Sequence, residues 1–337
     1  MKAIGFLHPG PIEAEDALVD IELPTPELRP HDLLVRVQAI SVNPVDAKVR
    51  TRPLPHEGQA RILGYDAVGV VEATGPEARR FKKGDAVFYA GAIDRPGSNA
   101  ELQAVDERIV GRKPESLDPA RAAALPLTAI TAWELLFDRL KAAYGPQVSS
   151  DAILIINGAG GVGSILTQIA RRLTGLTVIA TASRPETIAW CRDMGAHHVI
   201  DHRRPLEEGL KAIGIPEVRY VAGLTATDQH QKSIAAVLAP QGALALIDDP
   251  PTFDIAPFKS KSLSLHWEFM FTRPMFNTTD LAAQHRILTE VSGLVDAGIL
   301  RTTFREDYGP INAANLKRAH AAIESGRTIG KIVLSGF

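Results

Sequence analysis

Residues 157–163 read Asn-Gly-Ala-Gly-Gly-Val-Gly, and this run constrains the fold more than any other part of the chain. It leaves an apolar strand-like segment, Ala152 to Ile156. It opens a segment in which Val162, Ile165, Leu166, Ile169 and Leu173 share one helical face. Gly158, Gly160 and Gly163 therefore satisfy G-x-G-x-x-G in a strand–turn–helix setting, the context that gives the pattern its meaning. Glycine permits the tight turn and lets the backbone approach a pyrophosphate. The helix N-terminus then offers unpaired N–H groups and partial positive charge to that anion. Gly158, Gly160, Gly161, Val162 and Gly163 are the expected dinucleotide contacts; a plain glycine-rich turn is the alternative.

Alternation continues after the loop. Thr177 to Thr181 reads as a second strand, and Pro185 to Met194 as a helix with proline at its start and Gly195 beyond its end. Val199-Ile200, Val218 to Leu224 and Ala243 to Ile247 read as further strands, with a helix over Asp228 to Leu238. Alternating β and α predicts an α/β, doubly wound parallel sheet. The end of the second strand indicates which dinucleotide it holds. A site for an unphosphorylated ribose places Asp or Glu there, to bind the 2′-hydroxyl. This chain has Thr181-Ala182-Ser183-Arg184 and no acid until Glu186. A hydroxyl and a guanidinium suit a 2′-phosphate, which a carboxylate would repel. Ser183 and Arg184 thus favour NADPH (NADP+) over NADH, the alternative for Arg184 being a solvated residue before a helix.

The N-terminal part is β-rich, with runs at Leu33 to Ile40, Ala67 to Ala73 and Ala86 to Tyr89. Prolines at 24, 26, 30, 44, 53 and 55 punctuate it and forbid long helices, which suggests a small barrel or sandwich. The texture changes near Asp118. From Pro119 to Leu140 the chain is rich in alanine and leucine, with Trp133, Leu136, Phe137 and Leu140 at helical spacing. A polar stretch follows, Tyr144 to Asp151. Beyond Phe253 come an aromatic and methionine-rich segment (His266 to Phe276), helices over Leu281 to Ala297 and Ala313 to Glu324, and a strand over Lys331 to Leu334.

At about 150 residues per domain, a chain of 337 residues predicts two domains. Lys+Arg 37 against Asp+Glu 39 leaves no overall field to hold nucleic acid or an acidic membrane. Cys191 is the sole cysteine, so neither an internal disulfide nor a cysteine-built structural zinc can form. The N-terminus lacks a secretory pattern and no run of about 18 apolar residues occurs, so the expectation is a soluble, cytoplasmic protein with no membrane span.

The glycine loop, Leu63-Gly64-Tyr65-Asp66-Ala67-Val68-Gly69, Val42-Asn43-Pro44-Val45-Asp46 and Leu125-Pro126-Leu127-Thr128 occur in the order typical of medium-chain dehydrogenases/reductases. The chain resembles the quinone oxidoreductase (ζ-crystallin-like) branch, often labelled zinc-type alcohol dehydrogenase-like. That resemblance implies a GroES-like β-barrel catalytic domain with a Rossmann domain inserted in it, and nicotinamide in the cleft between the two. The expected division is 1–127 for the GroES-like part, 128–265 for the NADP-binding domain, and 266–337 for a segment mostly returning to the catalytic domain. A homodimer is expected as well.

Zinc relatives carry a cysteine where this chain has Asn43, and a histidine before an acid where it has Tyr65-Asp66. Asn43 and Tyr65 are poor zinc ligands, and the histidines show no paired ligand spacing, so no metal is expected. Without a Lewis acid, the reading is direct hydride transfer from NADPH to an electrophilic acceptor, a quinone or an α,β-unsaturated carbonyl. The alternatives are a zinc-free reductase of another carbonyl or enoyl substrate, and an NADPH-binding sensor or structural protein with little turnover.

The resemblance places Asn43 beside nicotinamide and substrate, Thr128 against nicotinamide, His202 at the adenosine side and Lys331 within reach of the cofactor. Their alternatives are an Asn-Pro turn residue, a helix N-cap, an exposed loop histidine and a solvated lysine. Tyr65, at the lost zinc position, and Lys48, where relatives often carry a tyrosine near the substrate, complete the catalytic candidates. Asp46, Arg50, Tyr89, Arg95 and Asn99 are further polar or amphipathic residues able to line the cleft.

Overall fold

The computed structural model describes residues 1–52, 59–145 and 149–337. Pro53, Pro55 and residues 146–148 of the polar stretch lie outside them. The described residues form two compact units, one from Met1–Ile130 with Phe271–Phe337, the other Thr131–Met270.

The first unit opens with β1 (Lys2–Phe6) and β2 (Val19–Glu22), which pair antiparallel. Next comes β3 (Asp32–Ser41), where buried Val35, Val37 and Ala39 alternate with exposed Arg36 and Gln38. That is the period-two signature of a strand with one face in the core. Helix α1 (Pro44–Arg50) starts on its proline; β4 (Arg61–Ile62), β5 (Ala67–Thr74), β6 (Ala86–Tyr89), β7 (Leu102–Asp106) and β8 (Val110–Arg112) follow. The Ala- and Leu-rich stretch is not one helix. It divides into α2 (Pro119–Ala123), α3 (Pro126–Trp133) and a π-helical turn, Glu134–Arg139. Pro126 cannot donate the hydrogen bond that would carry α2 onward, so a new helix starts there. Thr128 consequently lies inside the first turn of α3 rather than at its cap.

The second unit is the doubly wound sheet. Its strands are β9 (Ala152–Ile156), β10 (Thr177–Thr181), β11 (His198–Ile200), β12 (Val218–Gly223), β13 (Leu238–Leu246) and β14 (Ser264–Trp267). Among the described residues they run in the order β11-β10-β9-β12-β13-β14, every pair parallel. Helices α4 (Gly161–Leu173), α5 (Pro185–Asp193), α6 (Leu206–Ala212) and α7 (Thr227–Val237) connect them. All five residues of β9 are buried, as a central parallel strand covered on both faces requires. Strand β13 starts five residues before the expected Ala243, and β14 falls within a segment whose aromatic composition hid its strand character.

The chain then returns to the first unit through α8 (Thr272–Phe276), α9 (Ala283–Asp296), β15 (Phe304–Asp307), α10 (Ala313–Glu324) and β16 (Lys331–Ser335). Strand β3 pairs with β5 along one edge. Its other edge is shared: Asp32–Arg36 pair with β7, and Ala39–Ser41 with β16. The second half of β3 thus takes its partner from a strand about 290 residues away, which places Lys331 beside α1.

Candidate functional site

In the second unit, Thr181 holds the glycine loop. Asn157 N–H donates to Thr181 Oγ1 at 3.0 Å and Gly158 N–H to its carbonyl at 3.1 Å. A Cβ on Gly163 would lie 2.3 Å from the Asn157 carbonyl oxygen. One on Gly158 would lie 2.6 Å from Ala180 Cβ and 3.1 Å from Cys191 Sγ. Both glycines are therefore fixed by close approach. Gly160 caps α4 without a side chain, which leaves first-turn N–H groups available to an anion. Ser183 and Arg184 follow β10 directly. Thr187 holds the Arg184 backbone, accepting its N–H at 3.1 Å and donating to its carbonyl at 2.8 Å. The Arg184 guanidinium, about three-tenths exposed, lies 3.2 Å from the exposed Glu186 carboxylate. His202 Nδ1 is 3.2 Å from the same Thr181 hydroxyl that receives the loop N–H. The structure thus gathers the loop, Ser183-Arg184 and His202 around the carboxyl end of β10. Sequence spacing pointed to the loop and Ser183-Arg184, and the resemblance to His202, but neither gave a sign that Thr181 joins them. They fit the pyrophosphate and ribose of a dinucleotide, the end of a parallel sheet being where such ligands lie.

The same unit buries an acid pair that sequence reading missed. Glu134, on the π-helical turn, is next to Glu268, which follows β14; both are buried. Arg139 Nε donates to Glu268 Oε2 at 2.8 Å. Burial, then the Glu134 carboxylate, push Glu268 up to about 9, against the opposing pull of Arg139. Cys191 is buried too, and its thiol is raised to about 12 by burial.

In the first unit, Asn43, Asp46, Asp66 and Lys331 form one buried polar cluster. Lys331 Nζ donates to Asn43 Oδ1 at 2.5 Å and to the Val42 carbonyl at 2.7 Å, and lies 3.3 Å from Asp66 Oδ2. Asn43 Nδ2 donates to Asp66 Oδ2 at 2.8 Å and to the Ser41 carbonyl at 3.3 Å, while Leu127 N–H donates to Asp66 Oδ1 at 2.7 Å. Asp46 accepts from Asn43 N–H at 2.8 Å and from Gly64 N–H at 3.0 Å. Gly64 itself has φ +111°, and a Cβ there would lie 2.5 Å from Ser98 Oγ.

Burial raises both carboxyls. Asp46 reaches about 7, although its N–H partners and Lys331 pull the other way, and Asp66 moves in the same direction. Lys331 is lowered, again first by burial and against the attraction of Asp66.

The remaining candidates are placed as follows. Tyr65 is buried, its ring 5.3 Å from Phe271 at 71°. Its phenol is raised first by burial and then by the Asp46 charge, with Arg61 opposing. Thr128 is buried and donates to the Leu125 carbonyl at 3.1 Å. Lys48 stands exposed on α1, outside the buried cluster. Asn43 and Lys331 are thus brought together and spend their polar atoms on each other and on Asp66. Arg50 is buried against the Gly10 carbonyl and Glu324, and Arg95 makes two bonds to Asp32 at 2.7 and 2.8 Å.

These residues do not fit zinc. Asp66 is the one anionic donor among Asn43, Tyr65 and Asp66, and it already receives three protein donors, one of them an ammonium. Among the described residues, no group of three His, Cys, Asp or Glu could hold a metal ion.

Comparison with known proteins agrees with this architecture. Residues 29–115 match the alcohol dehydrogenase GroES-like domain, and residues 194–334 the zinc-binding dehydrogenase model. The chain belongs to the medium-chain dehydrogenase/reductase superfamily of oxidoreductases, with a Rossmann doubly wound sheet and a GroES-like barrel domain. It is 41% identical to a zinc-type alcohol dehydrogenase-like protein of Staphylococcus aureus, over 99% of this chain and 100% of that one. A 2-methylene-furan-3-one reductase of Solanum lycopersicum is 28% identical over 99% of this chain and 79% of its own. Among solved structures, a candidate zinc-dependent alcohol dehydrogenase from Rhizobium etli is 57% identical, with a TM-score of 0.96 over 100% of this chain and 98% of its own. A mycobacterial protein solved with NADPH is 29% identical, with a TM-score of 0.82 over 99% of each chain. No helix among the described residues is long and apolar enough to cross a membrane.

Proposed function

We propose that this oxidoreductase uses NADPH to reduce quinones or activated α,β-unsaturated carbonyl compounds by hydride transfer without a metal. The observation that carries the reading is the Asn43–Asp66–Lys331 cluster: where the resemblance sets a zinc ligand at residue 43, this chain has an amide already bonded to a carboxylate and an ammonium. No residue there can polarise an unactivated alcohol or carbonyl as a bound metal does. An acceptor whose conjugation spreads the developing negative charge needs no such help. Bound NADPH supplies the hydride.

The chain's residues bind and orient. Gly158, Gly160, Gly161, Val162 and Gly163 receive the pyrophosphate, Ser183 and Arg184 the 2′-phosphate, and His202 the adenosine side. Asn43, Thr128, Tyr65 and Lys48 serve the reacting end; Lys331 acts there through Asn43. Residues 128–265 form the nucleotide domain, the rest the catalytic one. The furanone reductase and the NADPH-bound neighbour support this choice of substrate class and cofactor. The reading includes a cytoplasmic homodimer.

The test is an NADPH- and NADH-oxidation screen over quinones, enones and aldehydes with metal-analysed protein. Turnover of quinones or enones with NADPH is expected. Activity confined to simple aldehydes, or lost with stoichiometric zinc on chelation, would overturn it.

A further inference from the structure

His202 and His230 face each other edge to face, ring centroids 6.4 Å apart at 62°, both half-buried. They come from different parts of the second unit: His202 follows β11, and His230 is in the first turns of α7. His202 meets Thr181 at the carboxyl end of β10, where the ribose 2′ position is read in dinucleotide folds. The Thr181 hydroxyl already accepts the Asn157 N–H, and it can either donate to a neutral His202 Nδ1 or accept from a protonated one. The tie to Thr181 therefore survives protonation. His202 Nε2 and both His230 nitrogens make no hydrogen bond among the described residues.

The charges facing the pair leave it uncommitted. Asp201, beside His202, bonds Arg203 at 2.7 to 3.1 Å. Arg203 opposes Asp201 at His202, and Asp228 is near His230. Burial lowers both imidazoles below their ordinary range, and a proton on His230 further disfavours one on His202. A phosphate bound beside the rings would favour their charged form, and the repulsion between two charged rings limits the pair to one proton.

We propose that His202 and His230 form a proton-linked arm of the 2′-phosphate subsite. Together they take up one proton when a 2′-phosphorylated dinucleotide binds and none when the unphosphorylated one does. Arg184 supplies permanent positive charge to that subsite, and the imidazole pair supplies charge that exists only with the ligand. The inference rests on the NADPH reading above and makes cofactor choice depend on pH.

The test is titration calorimetry of the full chain with NADP+ and NAD+ at pH 7, in two buffers of different ionisation enthalpy. The parent is compared with a His202→Asn/His230→Phe variant whose circular dichroism and melting match it. Because the 2′-phosphate itself titrates near pH 6, the readout is parent minus variant. The expected difference is an uptake approaching about one proton with NADP+ and about none with NAD+. Parent affinity for NADP+ should weaken up to about tenfold per pH unit on raising pH from 6 to 8, as one linked proton requires. Equal proton uptake in parent and variant would overturn the imidazole arm while leaving NADPH preference standing. Failure of NADP+ to bind more tightly than NAD+ at any pH in that range would instead overturn the reading on which it rests.

Discussion

His320 lies on α10 with no exposed surface, and among the described residues neither ring nitrogen has a hydrogen-bond partner. Burial, with the nearby Arg50 guanidinium adding to it, pushes the imidazole down to about 3. The ordinary value is about 6.5. In this interval the unfolded chain holds a proton that the folded chain refuses, so stability is full above pH 6.5 and is lost as pH falls toward 3. Between pH 7.5 and 5.0 the window spans about 1.5 pH units, worth about 2 kcal/mol at 1.36 kcal/mol each. His320→Leu keeps an apolar filling and removes the proton site.

Trp133, Trp190 and Trp267 all lie in the second unit, so tryptophan fluorescence would report the wrong region. Urea unfolding by circular dichroism, with amide exchange measured on α10 peptides, reads the right one. Going from pH 7.5 to 5.0, the parent should lose about 2 kcal/mol more than the variant. At α10 that is an extra increase of about 30-fold in opening. Equal losses in parent and variant would refute the reasoning.

Glu268 gives the opposite sign. Its raised carboxyl stabilises the fold below about pH 4.5, and that contribution is lost as pH rises through about 9; Glu268→Gln should therefore melt increasingly above the parent from pH 6 to 9. Lys331→Met leaves Asp66 buried without its cation and should cost about 3–5 kcal/mol in urea unfolding, with Asp66→Asn added in the same chain recovering much of it. Arg184→Ala should raise the NADPH dissociation constant about 10- to 100-fold, the loss of one charge-assisted contact, and leave NADH within about twofold. Cys191 should resist a thiol reagent at pH 8 until urea unfolds the second unit, because its thiol is both buried and held un-ionised.

The parts of the molecule legible in the sequence were those whose causes are local. Gly158 to Gly163 announced a turn because the strand before it and the helix after it carry their own periodicities. Thr181-Ala182-Ser183-Arg184 could be read because its position is counted from that turn. Strands β1 and β2 were missed: Val19-Asp20-Ile21-Glu22 alternates over too few residues to stand out, and β2 finds its pairing only on β1. The buried clusters were illegible for another reason. Lys331 looks like any lysine at the start of a strand, and its partner Asn43 is 288 residues earlier. Glu134 and Glu268 look like surface acids until the fold buries them beside each other, with Arg139 bonded to Glu268. Pairing at such separation is a property of the topology, and no window along the chain contains it.

The shared edge of β3 has a consequence for how this molecule is made. Asp46 and Asp66 leave the ribosome early, whereas the ammonium that neutralises them, and the strand that covers the end of β3, come only with residues 331–335. At about 5–20 residues per second, the delay is on the order of tens of seconds. In the last part of that delay, once Met270 has been made, the second unit, continuous from Thr131 to Met270, has all of its own strands while the first still lacks its last. The nascent chain thus carries a nucleotide fold able to close on itself beside an acidic, half-paired sheet that waits for its last strand. A chaperone acting on this protein would find its client in that early segment.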